Sequence, residues 1–172
     1  MNEAMEVLYN RRSIRRYKSE QISREELDAV IRAGLCAASG KNGQSAIIVA
    51  VQDKATRDEL SRLNAAVLGV TPDPFYGAPT VLIVLADAKS NYIVEDGSLV
   101  LGNLMNAAKA LGLGSCWINR AKEVFASEEG KALLKKWGVE GEWVGVGNCI
   151  LGYPDEDPAM KPRKENHVFY VL

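Results

Sequence analysis

Apolar residues recur at helical spacing in several stretches of the chain. The clearest stretch begins with the capping-box sequence Ser23-Arg24-Glu25-Glu26, in which the first and last side chains satisfy each other's backbone N–H groups. One helical face then carries a series of apolar or small residues: Leu27, Val30, Ile31, Gly34 and Leu35. The pattern predicts a helix that buries this face and ends near Ala38.

Four further segments carry helical signals. They cover 3–9, the turns that follow Asp53, 96–111 and 128–137. In the first of them, Met5, Leu8 and Tyr9 are expected to face inward, and Asp53 is a typical helix N-cap. The segment 96–111 is apolar nearly all round, which is typical of a central helix or of a subunit interface.

Short continuous apolar runs predict strands. They cover 46–51, 80–86, 115–119, 143–151 and the terminal run 168–172. About five strands interleaved with five helices place the chain in the α/β or α+β class, and the pattern alone does not choose between the two. The terminal run follows a long polar arm, so it needs a strand to pair with, and a partner subunit is a natural place to find one.

Length and composition describe one globular domain. The chain has 172 residues, 47% of them hydrophobic and 25% charged, with a net charge of −1. A chain of this size buries roughly 70% of its unfolded surface. The longest strongly apolar run, 80–86, is far too short to span a bilayer, and the first residues lack the order of a signal peptide. We therefore expect a cytoplasmic protein that binds neither membranes nor nucleic acid.

The candidate chemistry is limited by a single histidine, His167. One histidine is too few for a histidine-based metal site, and His167 is expected to be an ordinary residue near the last strand. The three cysteines, Cys36, Cys116 and Cys149, are widely spaced and form no CxxC pair, which argues against a disulfide framework or a zinc knuckle. If the protein is an enzyme, it takes its chemistry from a bound group.

Positive charge is concentrated in two short segments. The first surrounds Ser13 and contains Arg11, Arg12, Arg15, Arg16 and Lys18. The second contains Lys161, Arg163 and Lys164. Guanidinium groups and a hydroxyl are suited to binding phosphate, whereas a solvated charged surface is the competing interpretation. The segment SGKNGQ at 39–44 offers amide side chains suited to the edge of a heterocyclic ring, or is a plain glycine-rich turn.

Several segments, taken in order, resemble the nitroreductase family of FMN-dependent oxidoreductases. They are RRSIRRY, ASGKNGQ, and DGSLVLGNLMNAAKALGLGSCWI followed by GYPDEDPAMKPRK. The resemblance covers nearly the whole chain and treats 1–172 as one FMN-binding domain. It implies an α+β fold, with a mixed and mainly antiparallel sheet flanked by helices and a C-terminal strand exchanged within a homodimer.

The resemblance also implies an FMN site at the dimer interface. The residues implied to hold the phosphate and the ribityl chain are Arg11, Arg12, Ser13 and Arg15, completed by Lys161 and Arg163. The loop implied to reach the flavin from the other subunit contains Ser39, Gly40, Asn42 and Gln44. Ile118 and Asn119 match the strand end that passes the ring, and Arg12 and Lys41 are candidates to stabilise negative charge on the reduced flavin.

The implied activity is hydride transfer from NAD(P)H to flavin N5 and then to a small electron-poor acceptor, such as a nitroaromatic or a quinone, by a ping-pong mechanism. No catalytic side chain and no metal are expected. Two alternatives stay open. One is a specialised flavin reaction on the same fold, of the dehalogenase or flavin-breakdown type, and the other is an FMN-binding protein without turnover.

Two segments depart from the family's pattern. Ala38 replaces the proline that usually begins the flavin-binding loop, and Ser45-Ala46 replaces the Pro-Trp that usually ends it. The segment 71–76 offers no clear equivalent of the flavin ligand that family members often place just before the next strand. Phe75 and Tyr76 in this segment are candidates to stack over a substrate.

Overall fold

The structure, a computed structural model, describes residues 2–172. These residues form six α-helices, four strands and one short 3₁₀ turn. In chain order the elements are α1 Glu3–Asn10, α2 Arg24–Leu35, the turn Gly40–Asn42, β1 Ala46–Val51, α3 Lys54–Leu68, β2 Thr80–Asp87, α4 Ile93–Ala110, β3 Gly114–Ile118, α5 Ala121–Ala126, α6 Glu128–Lys136 and β4 Trp143–Gly152.

The four strands form one antiparallel sheet in the order β1-β2-β4-β3. Helices cover both faces of the sheet. Alternate residues of β2 therefore enter two different cores: Ile83 packs with residues of α3, α5 and α6, whereas Val84 packs with residues of α2 and α4. Because both faces of β2 are buried, the strand is a continuous apolar run rather than an alternating one.

α2 begins where its sequence pattern indicates, and it ends at Leu35, three residues before the predicted end near Ala38. Ser23 and Glu26 form the predicted capping box. Gly34 lies so close to α4 that an added Cβ would come within 2.5 Å of the Leu104 side chain. The glycine therefore permits the close packing of α2 on α4, and α2 ends one residue later.

α4 is the central helix that its composition predicts. Leu101 and Leu104 are fully buried beneath the sheet, and Gly97 lies against Val146 of β4. Val94 and Leu99 are exposed on another face. The helix thus combines a buried side with apolar residues that stay exposed among the described residues.

Some predicted details are wrong. Leu8 and Tyr9 are exposed, because α1 packs mainly against α4 through its half-buried Met5 and Val7. Leu35 is also exposed, because it is the last residue of α2 and lies beyond the contact that Gly34 makes. The helix α5 was not predicted, since its six residues are too few to show a period.

The terminal run 168–172 does not form the predicted fifth strand within one chain. Its five side chains are largely or fully exposed, and the arm that leads to it carries no regular structure. The free edge of β1 likewise has no ladder partner among the described residues. Within residues 2–172, no helix is both long and apolar enough to cross a membrane.

Replacing Gly145 in β4 by alanine is expected to destabilise the fold. The new methyl group would meet the backbone carbonyl of Ala121, which cannot rotate away, and overpacking of this kind costs about 1–3 kcal/mol. Gly102→Ala is the matched control, because its added methyl would meet nothing within 4 Å. Chemical denaturation gives the unfolding free energies. An unchanged value for G145A would contradict the packing argument.

Candidate active site

The arginine-rich segment is attached to the edge of the sheet beside β3. Ser13 forms a parallel bridge with Ser115, and the Ile14 N–H donates to the Ser115 carbonyl at 3.0 Å. The Ile14 side chain is buried, and it lies so close to Gly114 that a Cβ there would be 3.0 Å away. This docking fixes the positions of the residues around Ser13 relative to the amino end of β3.

Arg11 carries the clearest signal of a ligand-binding role. Its Nη1 is buried and has no hydrogen-bond partner among the described residues. Leaving a charged donor buried and unpaired is unfavourable, and an anionic oxygen supplied from outside the chain would satisfy it. The neighbouring Arg12 instead donates through Nη1 to the carbonyls of Tyr9 and Arg11, at 2.6 and 2.7 Å.

A cleft of about 260 Å³ lies in front of these arginines. Arg11, Arg12 and Lys109 line it with positive charge, and Glu156 and Asp157 line it from the arm. The Glu156 carboxylate accepts the Arg15 N–H, which ties the arm to the arginine segment. An adjoining cleft brings Met160 of the arm next to Arg12. Further along, Lys161 and Arg163 are exposed.

The loop 39–45 is held by a single buried carboxylate. Asp96, in the first turn of α4, is 2% exposed and accepts from the Gly40 N–H at 2.8 Å and from the Ser45 hydroxyl at 2.7 Å. Within the loop, the Ser39 hydroxyl accepts from the Gln44 N–H at 3.0 Å. Gly40 packs against the Tyr92 ring, where a Cβ has no room. The sequence did not single out Asp96.

The same loop stores backbone strain. Lys41, Asn42 and Gln44 all have left-handed φ angles, of 54°, 54° and 48°. Non-glycine residues adopt this region at a cost, and such residues cluster at functional sites. All three side chains are exposed. The loop therefore presents these polar side chains to the outside of the chain.

Two buried asparagines support the strand end at Ile118 and Asn119. Asn64 of α3 donates to the Asn119 carbonyl at 2.8 Å, and Asn148 of β4 reaches the Ile118 carbonyl at 3.4 Å. Both asparagines are almost fully buried. Arg120 then reverses the chain with a φ of 78°. Asn64 was missed, although a polar residue on the apolar face of α3 was a visible signal.

These pieces form two groups within one chain. The arginine segment lies beside the amino end of β3, and Ile118–Asn119 lie at the other end of the same strand. The loop 39–45 is fixed at the start of α4, whereas Lys109, near the helix end, lines the arginine cleft. At a rise of about 1.5 Å per residue, Asp96 and Lys109 are about 20 Å apart along α4. The loop therefore lies away from the arginine cleft of the same chain.

The segment before β2 corrects one prediction. Phe75 is 1% exposed and packs in the core, so it is not available to stack on a substrate. Tyr76 is 44% exposed, and the Arg15 guanidinium carbon lies 5.9 Å from its ring centre. Only Tyr76 of this pair faces outward.

The antiparallel sheet with helices on both faces defines an α+β fold, and comparisons with known proteins identify its family. A sequence model of the nitroreductase family matches residues 8–153. The chain belongs to the nitroreductase family. This confirms the resemblance in sequence and the α+β fold class.

Individual relatives extend this match. An NADPH-flavin oxidoreductase of Vibrio harveyi is 30% identical over 98% of this chain and 72% of its own length. A nitroreductase from Bacteroides fragilis, solved with bound FMN, superposes with a TM-score of 0.90 at 29% identity and covers 100% of both chains. Iodotyrosine deiodinase, solved with FMN and 3-iodo-L-tyrosine, has a TM-score of 0.78 at 24% identity and shares the fold.

Replacing Asp96 by alanine is expected to release the loop 39–45. The half-buried Gly40 N–H and the Ser45 hydroxyl would both lose their acceptor, and a hydrogen bond of this kind contributes about 0.5–1.5 kcal/mol. Hydrogen exchange should accelerate at Gly40 and Gln44 in this variant. Asp28→Ala is the control, since it removes only an exposed ion pair with Arg24, worth about 0.5 kcal/mol. Unchanged exchange in D96A would show that the carboxylate does not hold the loop.

Proposed function

We propose that this chain binds FMN and uses it to pass a hydride from NAD(P)H to a small electron-poor acceptor such as a nitroaromatic or a quinone. The observation that carries the proposal is the buried, unpartnered Nη1 of Arg11, within the segment that the family match spans. A phosphate is the kind of ligand that this donor requires. The names of the relatives support the same cofactor and the same reductant.

Different residues along β3 would bind different parts of the cofactor. Arg11 and Ser13 would bind the phosphate, with Lys161 and Arg163 closing over it from the arm. Arg12 and Arg15 would lie along the rest of the bound FMN, beyond its phosphate. The strand end at Ile118 and Asn119 would support the ring, because Asn64 and Asn148 already fix both carbonyls.

When bound, FMN would supply the redox chemistry, taking up a hydride from the nicotinamide and giving it to an acceptor that occupies the same position afterwards, in ping-pong order. Arg12 and Lys41 would place positive charge where electrons accumulate, which favours reduction. No side chain of the site need transfer a proton to the reacting atoms. The protein would bind FMN, orient it and adjust how readily it is reduced.

A homodimer would complete the site. The loop 39–45 lies about 20 Å along α4 from the arginine cleft of its own chain. Its residues with left-handed φ angles are exposed, so they are available to contact a second subunit. Two further features support association: the uncovered apolar side of α4, and the exposed run 168–172. We infer that each loop serves the cleft of the other subunit, and that each tail adds a strand to the partner's sheet.

The absorbance spectrum of the purified protein between 300 and 550 nm tests the cofactor. A flavin spectrum that bleaches with anaerobic NADH or NADPH and recovers with an acceptor is expected. Flavin that stays oxidised would indicate another electron donor or a binder without turnover. A protein that takes up no FMN would overturn the proposal.

Arg11→Ala tests the residue that carries the proposal. Loss of a charge-assisted hydrogen bond is worth about 1.5–3 kcal/mol, so FMN should bind roughly ten- to a hundredfold more weakly. Arg24→Ala is the matched control, because Arg24 is an exposed arginine on α2 paired with Asp28. FMN affinity is read from the quenching of flavin fluorescence. Equal affinities for both variants would remove Arg11 from the site.

Deleting 168–172 tests the dimer. The truncated chain is expected to sediment as a monomer and to bind FMN more weakly than the full chain, because the cleft would lack the partner's loop. Analytical ultracentrifugation and FMN titration measure the two effects. A truncated chain that remains dimeric would contradict strand exchange.

A further inference from the structure

Tyr76 combines an exposed aromatic ring with an unfavourable backbone conformation. Its φ is 52°, and a bulky residue in this region is a conformational outlier. Glycine or asparagine would adopt the same angle at lower cost. If this residue served only to form the turn, glycine or asparagine would therefore be preferred to tyrosine.

The backbone on both sides of Tyr76 is fixed by Asp73. The carboxylate accepts from the Phe75 N–H at 2.9 Å and from the Gly77 N–H at 2.7 Å. The Tyr76 N–H donates to the Asp73 carbonyl at 3.1 Å. The loop thus holds one residue outward and leaves it little freedom.

Asp73 is itself anchored from α3. Arg57 is 7% exposed and forms an ion pair with Asp73, and the Ser61 hydroxyl donates to the same carboxylate. Arg57 also donates through Nε to the Ala78 carbonyl at 3.0 Å. Burial of the carboxyl raises its pKa, but the hydrogen bonds outweigh this effect and hold the pKa of Asp73 below its ordinary value. The support is therefore charged and rigid at neutral pH.

The ring lies beside the arginine segment. The guanidinium carbon of Arg15 is 5.9 Å from the ring centre, and the Arg15 backbone is tied to the arm through Glu156. Arg15 is two residues beyond Ser13, which is bonded to β3. Tyr76 thus presents a flat apolar surface and a neighbouring cation at the same edge of the site.

We propose that Tyr76 contacts the electron-accepting substrate, that its ring stacks against a planar acceptor, and that Arg15 favours acceptors that carry an anionic group. This assignment rests on the proposed function. Stacking requires an exposed ring, and the bonds to Asp73 fix the backbone that holds this ring outward. An anion beside Arg15 would be a further partner for a guanidinium group that lies 5.9 Å from the ring centre.

The test is ligand binding to the oxidised, FMN-loaded protein, read from the shift in flavin absorbance. Benzoate is the planar anionic probe, acetate is an anion without a ring, and benzamide is a planar neutral molecule. Tyr76→Asn is the variant of choice, because asparagine tolerates the left-handed backbone and removes the ring. Tyr76→Phe restores the ring without the hydroxyl.

Benzoate is expected to bind Y76N roughly five- to tenfold more weakly than wild type, which is the scale of one aromatic contact, and to bind Y76F as wild type does. Acetate should bind all three proteins equally. Wild type should prefer benzoate to benzamide. Equal benzoate binding by Y76N and wild type would overturn the stacking role, and equal binding of benzoate and benzamide would overturn the anion preference.

Steady-state kinetics give an independent readout. The KM for 4-nitrobenzoate, with NADH or NADPH as reductant, should rise in Y76N by a similar factor, whereas Y76F, which keeps the ring, should retain the wild-type KM. Failure of the two proposals is distinguishable. A wild-type protein without FMN or without nicotinamide oxidation refutes the proposed function and this assignment together. A reducible wild type that binds no benzoate, or a Y76N variant indistinguishable from it, refutes the assignment of Tyr76 alone.

Discussion

The burial of β2 on both faces is the constraint on which the rest of the structure depends. From Val81 to Ala86 no residue of the strand is exposed, so helices must cover the sheet above and below. That requirement places α4 across one face and α3, α5 and α6 across the other. The segments free to carry chemistry are then those at the sheet's rim: the arginine segment, the loop before β1 and the loop before β2.

The length of α4 sets the distance between the two parts of the candidate site. Asp96 at its start fixes one half of the candidate site, and Lys109 near its end lines the other half. A helix that is rigid over this distance keeps the two halves apart in any single chain. Two copies related by a twofold axis would bring each half against its complement, so the geometry of one helix favours an interface shared by both subunits.

Much of the fold follows from local sequence signals. The capping box at Ser23 and the apolar runs of β1, β2 and β4 act over a few residues, and the structure places the start of α2 and the bounds of these strands within a residue of the prediction. The terminal run 168–172 is different, because the strand it is expected to pair with belongs to no part of this chain that the structure describes. Its prediction as a strand stays a prediction.

The candidate site was less accessible from sequence, for physical reasons. The arginine cluster and the 39–44 loop are visible as composition. The Arg57–Asp73 ion pair and the hydrogen bond from Asn64 to Asn119 join residues that are far apart in the chain. Hydrophobic periodicity does not reveal either pairing. The positive φ values at Lys41 and Tyr76 occur at residue types that ordinarily avoid them, so residue propensities would predict a different backbone conformation at both positions. Phe75 and Tyr76 are adjacent aromatics, and only the turn between them decides which is buried.

The Asp73 support also bears on how this position can evolve. The hydrogen bonds that shape the loop use no side-chain atom of residue 76, and the N–H that this residue donates is kept by every substitution except proline. A change of side chain there alters what the surface presents while leaving the network beneath it in place. Among residues that tolerate a left-handed backbone, position 76 can therefore vary with little consequence for folding.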